Sequence, residues 1–208
     1  MSTATLERPA TALPTVARAD ILLDLLTGAS VATGSKNESP MFRNVYLSAK
    51  NYVLTAKATD RYRLIVGTSK AIVGIENVED GDLEEVALEP DAIKSLKLFL
   101  TGRKMTEVTL TVKDGQFTVS QLGQQVTVNS TKLRDFPTTA HLLEQVKPSL
   151  ESGTFHLNLK LLASFAKVPT DEERSELRFN SDAKPVRIEI GHDSIAWECL
   201  LMPMRKPR

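Results

Sequence analysis

Apolar residues recur along this chain at two spacings, and the spacing switches in a regular order. In "ADILLDLLTGASVATG" the residues Ile21, Leu22, Leu25, Leu26 and Ala29 share one helical face, with Asp20, Asp24 and Thr27 elsewhere. Gly28 and Gly34 predict that this helix frays or ends there. After a polar loop and Pro40, the runs "NVYLSA", "YVLTAKA" and "RYRLIVG" have the composition of strands. An acidic connector, "ENVEDGDLEE", precedes the strand candidate "EEVALE" and the helix "PDAIKSLKLFLTGRK", where Pro90 suits the first turn. Three more strands are predicted in "EVTLTV", "QFTVSQL" and "QVTVNST", with Asp114-Gly115 as a hairpin signal. The segment "KLRDFPTTAHLLEQVKPSLESG" reads as a connector with a short helical turn. The chain then offers "TFHLNL", the helix "LKLLASFAKV", and the strands "ELRFNS", "VRIEIG" and "SIAWECLLMPM".

The pattern is strand, helix, three strands, given three times, with helices centred near Leu25, Leu96 and Leu162. A recurrence of about seventy residues is too long for a solenoid repeat. Two units are expected to make one α+β domain, their sheets extending each other and the helices covering one face. The third unit has no internal mate, and about fifty residues is small for independent stability. Its unpaired sheet edge would be an aggregation hazard. It is therefore expected to dock on the first domain or to pair with a second chain. The expected division is a loose tail at 1–14, a full domain at 15–140, a linker at 141–152 and a half domain at 153–208.

Composition narrows the function classes. The 208 residues include 26 basic and 26 acidic side chains, so net charge favours neither nucleic acid nor membrane, and any DNA contact needs local segregation of charge. One cysteine, Cys199, excludes an internal disulfide and suits a reducing compartment. No apolar run is long enough to span a bilayer, and "MSTATLERPATALP" lacks the hydrophobic segment of a secretory signal. A cytoplasmic location is expected.

Catalytic and metal motifs are weak. "GASVATGSK" (28–36) departs from the phosphate-binding loop in spacing, in the serine before Lys36 and in following a helix, so a plain loop is the better reading. "SFAK" matches Ser-x-x-Lys at Ser164 and Lys167, but the companion motifs are absent and a solvated helix face explains it. His141, His156 and His192 share no metal-ligand spacing with one another or with Cys199. No metal, cofactor or catalytic residue is expected. Lys94, Lys97, Arg103 and Lys104 on the second helix, with Lys160 and Lys167 on the third, are candidates to face DNA phosphates. Asp20 and Asp24 on the first helix work against this, and ordinary solvated faces explain the charges as well.

Three segments, in order, carry a resemblance. "ATDRYRL" (58–64) resembles the Ala-Thr-Asp-Gly-His/Tyr-Arg-Leu strand corner of bacterial sliding clamps, the β subunit of DNA polymerase III. "TKLRDFPTTAHLL" (131–143) is similar to that family's segment ending in Phe-Pro-Asp-Tyr, and "LLMPMR" (200–205) to its terminal Val-Val-Met-Pro-Met-Arg. The resemblance covers residues 20–205 and implies a DNA-clamp-like α+β fold: the middle clamp domain followed by the second half of the last. It further implies a non-enzymatic replication accessory protein with a cleft for linear motifs of polymerases and related factors. The implied lining is Phe42, Thr59, Arg61, Tyr62, Arg63, Leu64, Pro137, Leu142, Pro185, Leu200, Leu201, Met202, Pro203, Met204 and Arg205. An aliphatic, methionine-rich pocket of this kind adapts to varied partners. Arg61 stands where the family usually has glycine, and Leu200-Leu201 replaces Val-Val. The cleft reading predicts that Leu201→Asp and Met202→Asp abolish peptide binding while leaving the fold largely intact. Ring closure around double-stranded DNA, held non-specifically, would need a homo-oligomer, since four three-unit chains match the family's twelve units. The alternative is an adaptor or antagonist that binds clamp-binding peptides without DNA. The residues alone also allow "TDR" to be a plain turn capped by Asp60, with Leu200 and Leu201 in the core.

Overall fold

In the computed structural model, residues 15–51, 53–69, 83–132, 136, 142–143, 156–172, 174–179 and 184–204 are described. Strand β1 (Thr15–Arg18) runs directly into helix α1 (Ala19–Ser30), and a single turn, α2 (Pro40–Arg43), precedes the meander β2 (Val45–Lys50), β3 (Val53–Thr59) and β4 (Arg63–Ser69). The second unit comprises β5 (Leu83–Leu88), α3 (Pro90–Leu100), β6 (Glu107–Lys113), β7 (Gln116–Gln121) and β8 (Gln124–Asn129). The third has α4 (Leu159–Ser164), a 3-10 turn at Phe165–Lys167, then β9 (Ser175–Arg178), β10 (Val186–Ile190) and β11 (Ile195–Leu201). Pro40 at the first turn of α2 supplies a helical φ where no backbone donor is needed, a signal the composition of that loop concealed. At the β6–β7 hairpin Asp114 and Gly115 both have positive φ, the geometry a two-residue turn requires and the reason for the Asp-Gly pair.

The strands form two antiparallel sheets. The first two units exchange their leading strands: β1 pairs with β6, and β5 pairs with β2. The result is a four-stranded sheet, β1-β6-β7-β8, and a seven-stranded sheet, β5-β2-β3-β4-β11-β10-β9. The expectation that the sheets of the first two units extend each other is thus corrected to an exchange, which gives the first strand after each helix a neighbour on both sides. Helices α1 and α3 pack side by side, and α1 lies across β3 and β4. All five residues of the expected α1 stripe are buried, Leu22, Leu25 and Leu26 completely. Each such side chain contributes about 1.5–3 kcal/mol of transfer free energy. Helix α3 adds Ile93, Leu96 and Leu100 to the same core.

The third unit docks on the first. Strand β11 pairs with β4 over seven residues, from Ile195 opposite Ser69 to Leu201 opposite Arg63. Trp197 lies opposite Gly67 in this register and is fully buried. A Cβ on Gly67 would fall 2.2 Å from the indole, and one on Gly28 would fall 2.3 Å from it. Gly28 is therefore no helix end. α1 continues through it to Ser30, and the missing side chain makes room for Trp197. In the third unit the expected strand "TFHLNL" has no strand at residues 156–158, and its first residues lie outside those described. The expected tail at 1–14 and most of the connector also lie outside them. Among the described residues no helix is long and apolar enough to cross a membrane.

Candidate functional site

The β3–β4 corner is tied down by one carboxylate. Asp60 accepts from the backbone N–H groups of Tyr62 at 3.0 Å and Arg63 at 2.7 Å through Oδ1. Its Oδ2 accepts from Arg63 Nε at 2.9 Å and Nη2 at 2.6 Å. Thr59 Oγ1 donates to the Arg63 carbonyl at 2.7 Å and accepts from Arg61 N–H at 3.3 Å. The Asp60 cap expected of a plain turn is present, and it fixes where the next residues point. Arg61 is held at φ +75°, in the left-handed region that a side chain resists and glycine does not. Its guanidinium lies 4.4 Å from the centroid of the Phe42 ring, an attractive cation–π arrangement. Tyr62 is left projecting, 59% exposed.

The chain's last described residues close on this corner. Met202 N–H donates to the Tyr62 carbonyl at 2.8 Å, extending the β4–β11 ladder by one bond. Met204 N–H donates to the His156 carbonyl at 2.7 Å. Met202 and Met204 are 41% and 52% exposed, so with Tyr62 they form an apolar rim.

Alternation across the strands decides which residues lie beneath this rim. Leu200 lies opposite Leu64, and Leu64 opposite Thr59, so these three share one face of the sheet. Leu64 and Leu200 belong to a small apolar cluster with Val66 and Leu143, against which Phe136 and Leu142 pack. Phe136 also meets Tyr46 at 4.4 Å between ring centroids, with the Lys57 ammonium 4.7 Å from its own. Phe136, Leu142 and Leu143 thus lie over the outer face of β2, β3 and β4. Leu201 and Arg63 are one residue out of phase and point the other way. Leu201 is fully buried in the main core. Arg63 Nη1 donates to Ser164 Oγ at 2.6 Å in the third unit's helix.

Of the fifteen residues expected in the cleft, the outer face and rim gather Thr59, Arg61, Tyr62, Leu64, Leu142, Leu200, Met202, Pro203 and Met204, with Phe42 beneath Arg61. Pro185 lies next to the Val186–Leu201 pair. Arg63 and Leu201 belong to the helix side, and Pro137 and Arg205 lie outside the described residues. The sequence reading missed Val66, Leu143, Phe136 and Tyr46. Val66 and Tyr46 were legible from their two-residue phase with Leu64 and between the core residues Val45 and Leu47, whereas Phe136 and Leu143 needed the connector's path.

Several of the basic residues have local partners. Lys94 pairs with Asp91 at 3.0 Å, and burial lowers the pKa of Lys97. Arg103 stacks 3.9 Å from the Phe99 centroid and donates to Gln124 Oε1 at 2.5 Å. Lys104, Lys160 and Lys167 are exposed. Ser164 accepts from Arg63 and donates to the Leu161 carbonyl at 2.5 Å, a helix-end bonding pattern. Among the described residues no group of three His, Cys, Asp or Glu side chains is placed to hold a metal ion.

No family model and no curated protein matches the sequence. Solved structures match its fold. The sliding clamp of Bacillus subtilis superposes with a TM-score of 0.74 at 13% identity, covering 99% of this chain and 68% of that one. The β subunit of DNA polymerase III from Thermotoga maritima gives 0.73 at 12% identity, covering 99% and 69%. A Pseudomonas aeruginosa sliding clamp bound to griselimycin gives 0.73 at 14% identity, covering 98% and 68%. The chain has the sliding-clamp fold, at about two thirds of the length of those clamps.

Proposed function

We propose that this chain is a clamp-type replication accessory protein that docks linear motifs of a polymerase or related factor. The docking site is the groove between the Thr59–Leu64 corner and the tail of β11. The observation that carries the reading is the hydrogen bond from Met202 N–H to the Tyr62 carbonyl, which seats two segments 140 positions apart on one rim. Beneath the rim lies an aliphatic cluster that includes Leu64, Leu142 and Leu200, a surrounding that suits the leucine and phenylalanine anchors of such a motif. The rim supplies methionine, an adaptable apolar surface, and tyrosine, a rigid one. Arg61 above Phe42 fixes one end of the groove. A clamp of the same fold binds griselimycin, which agrees with a ligand-taking role for this fold.

The test is fluorescence anisotropy with a labelled Gln-Leu-x-Leu-Phe peptide. The wild type is expected to bind with a Kd of about 100 μM or tighter, and Met202→Asp to weaken it at least about tenfold with unfolding unchanged. A wild type that ignores the peptide at that concentration refutes the docking site.

The chain is a cytoplasmic non-enzyme in this reading, and a homo-oligomer of it encircles double-stranded DNA. The engagement of Lys94 by Asp91 and of Arg103 by Gln124, together with zero formal net charge, favours a second reading, an adaptor that binds the same peptides without DNA. A ring stays on circular duplex and leaves after linearisation, whereas an adaptor does neither.

A further inference from the structure

In the first two units the strand that follows each helix is never an edge. β2 is covered by β5, and β6 by β1, each a strand of the opposite unit. β9 holds the same position in the third unit, yet among the described residues it ends the seven-stranded sheet. The core runs out at the same place. Across the strands, Ala58, Ile65, Cys199, Ile188 and Leu177 form one row on the helix side. The first four are buried, and Leu177 is 40% exposed. Beside it lies a cavity of about 310 Å³ with an apolar wall that includes Leu162, Phe165, Leu177 and Ile188 and a polar wall that includes Glu172 and Ser175. α1 has α3 as its neighbour, while Leu159 of α4 is 75% exposed.

We propose that this open flank is closed by the third unit of a second copy, with β9 pairing antiparallel to β9 of its partner about Leu177. The side-chain order supports a self-complementary edge. Glu176 and Arg178 flank Leu177 on the opposite face, where Arg178 bonds Glu176 at 2.8 Å and Glu189 at 3.3 Å. Antiparallel pairing centred on Leu177 sets each Glu176 opposite the other copy's Arg178, a favourable cross-strand pair formed twice by symmetry. The two-fold axis stands perpendicular to the sheet, so both copies present the same face to the same side. Leu177 then meets its own counterpart, and α4 approaches α4 as α1 approaches α3. An exposed edge with an apolar flank is a surface that folded proteins cover, and here the cover needed matches the molecule's own edge. This inference rests on the homo-oligomer of the proposed function, to which it gives one interface, and it is separate from peptide docking, which uses the other face of the sheet and a different end of β11.

Charge reversal tests it by sedimentation velocity on the full chain, from about 5 to 200 μM. The wild type is expected to dimerise in this range. Glu176→Arg and Arg178→Glu each set like charges opposite one another and are expected to weaken the dimer at least about tenfold. The double variant restores opposite charges and is expected to return to within about threefold of wild type. Urea unfolding of each variant separates loss of the dimer from loss of the fold. A wild type that stays monomeric throughout, single variants that associate as wild type does, or a double variant as weak as the singles would each overturn the proposal. Peptide binding is indifferent to all three variants, so failure here and failure of the groove are told apart.

Discussion

Gly67→Ala tests whether the third unit is held on the first by the Trp197 contact. The new methyl would fall 2.2 Å from indole Cζ3, 2.7 Å from Cε3 and 2.8 Å from Leu25 Cδ2. The ring has little room to move, because it also lies against Gly28, where a Cβ would fall 2.3 Å from Cη2 and 2.8 Å from Cζ3. Overpacking of a rigid group costs about 1–3 kcal/mol, and a fully buried ring held against two backbones belongs at the upper end. Replacing glycine lowers the entropy of the unfolded chain, which offsets about 0.4–1 kcal/mol. The net expected loss is about 2 kcal/mol. Urea unfolding of Gly67→Ala, Trp197→Phe and the double variant gives the coupling directly. The smaller ring leaves space for the methyl, so Gly67→Ala is expected to cost under about 1 kcal/mol in the Trp197→Phe background. The thiol of Cys199, fully buried on β11 and pushed up in pKa by burial, gives a local reading of the same joint. Its labelling should be slow in wild type and faster in Gly67→Ala. A loss within about 0.5 kcal/mol of zero, or an equal loss in both backgrounds, would refute the argument.

Three further outcomes are expected. Asp60→Ala removes four accepted hydrogen bonds and strands the guanidinium of Arg63, which is 11% exposed, so urea unfolding should show a loss of about 2–4 kcal/mol; a loss under about 0.5 kcal/mol contradicts the corner as drawn. Leu201→Asp places a carboxylate in the main core and is expected to cost about 3 kcal/mol or more, against little change for the exposed Met202→Asp; equal unfolding midpoints for the two would reverse the assignment of faces. Burial pushes the Asp24 carboxyl above its ordinary 3.8, with His192 Nε2 at 3.6 Å opposing the shift. A raised folded pKa favours folding below pH 3.8 and loses that contribution as pH rises through the folded value. Asp24→Asn should therefore melt higher than wild type at neutral pH, with the gap closing on acidification, and a lower melting point at neutral pH would show that the His192 contact outweighs burial.

The element order was legible because the apolar period changes from 3.6 to 2 and back, and most of the expected helices and strands fall near the observed ones. Sheet connectivity was not, because an exchange of β1 and β5 between units leaves each strand's own pattern unchanged. Gly28 shows a second limit. A glycine near the end of an apolar stripe has the local signature of a helix stop, and only the position of Trp197, 169 residues later, turns it into a packing device.

The groove illustrates the same limit at finer scale. Motif order pointed to the corner and the tail, and the Met202–Tyr62 hydrogen bond is where these two segments touch. A motif is contiguous, however, whereas a strand sends neighbouring side chains to opposite faces. Leu200 and Leu201 adjoin in sequence, yet one belongs with Leu64 on the outer face and the other with the core. Arg63 and Leu64 divide in the same way, the arginine bonding Asp60 and Ser164 on the helix side. The two faces are nonetheless mechanically linked. Arg63 bonds the corner to α4, Trp197 packs β11 against α1, and both contacts span the junction of the first and third units. The proposed docking site takes its walls from two units and is only as well defined as that junction. Loosening the buried side by Gly67→Ala should thus weaken peptide binding on the opposite face, although no atom of Gly67 is exposed to the peptide.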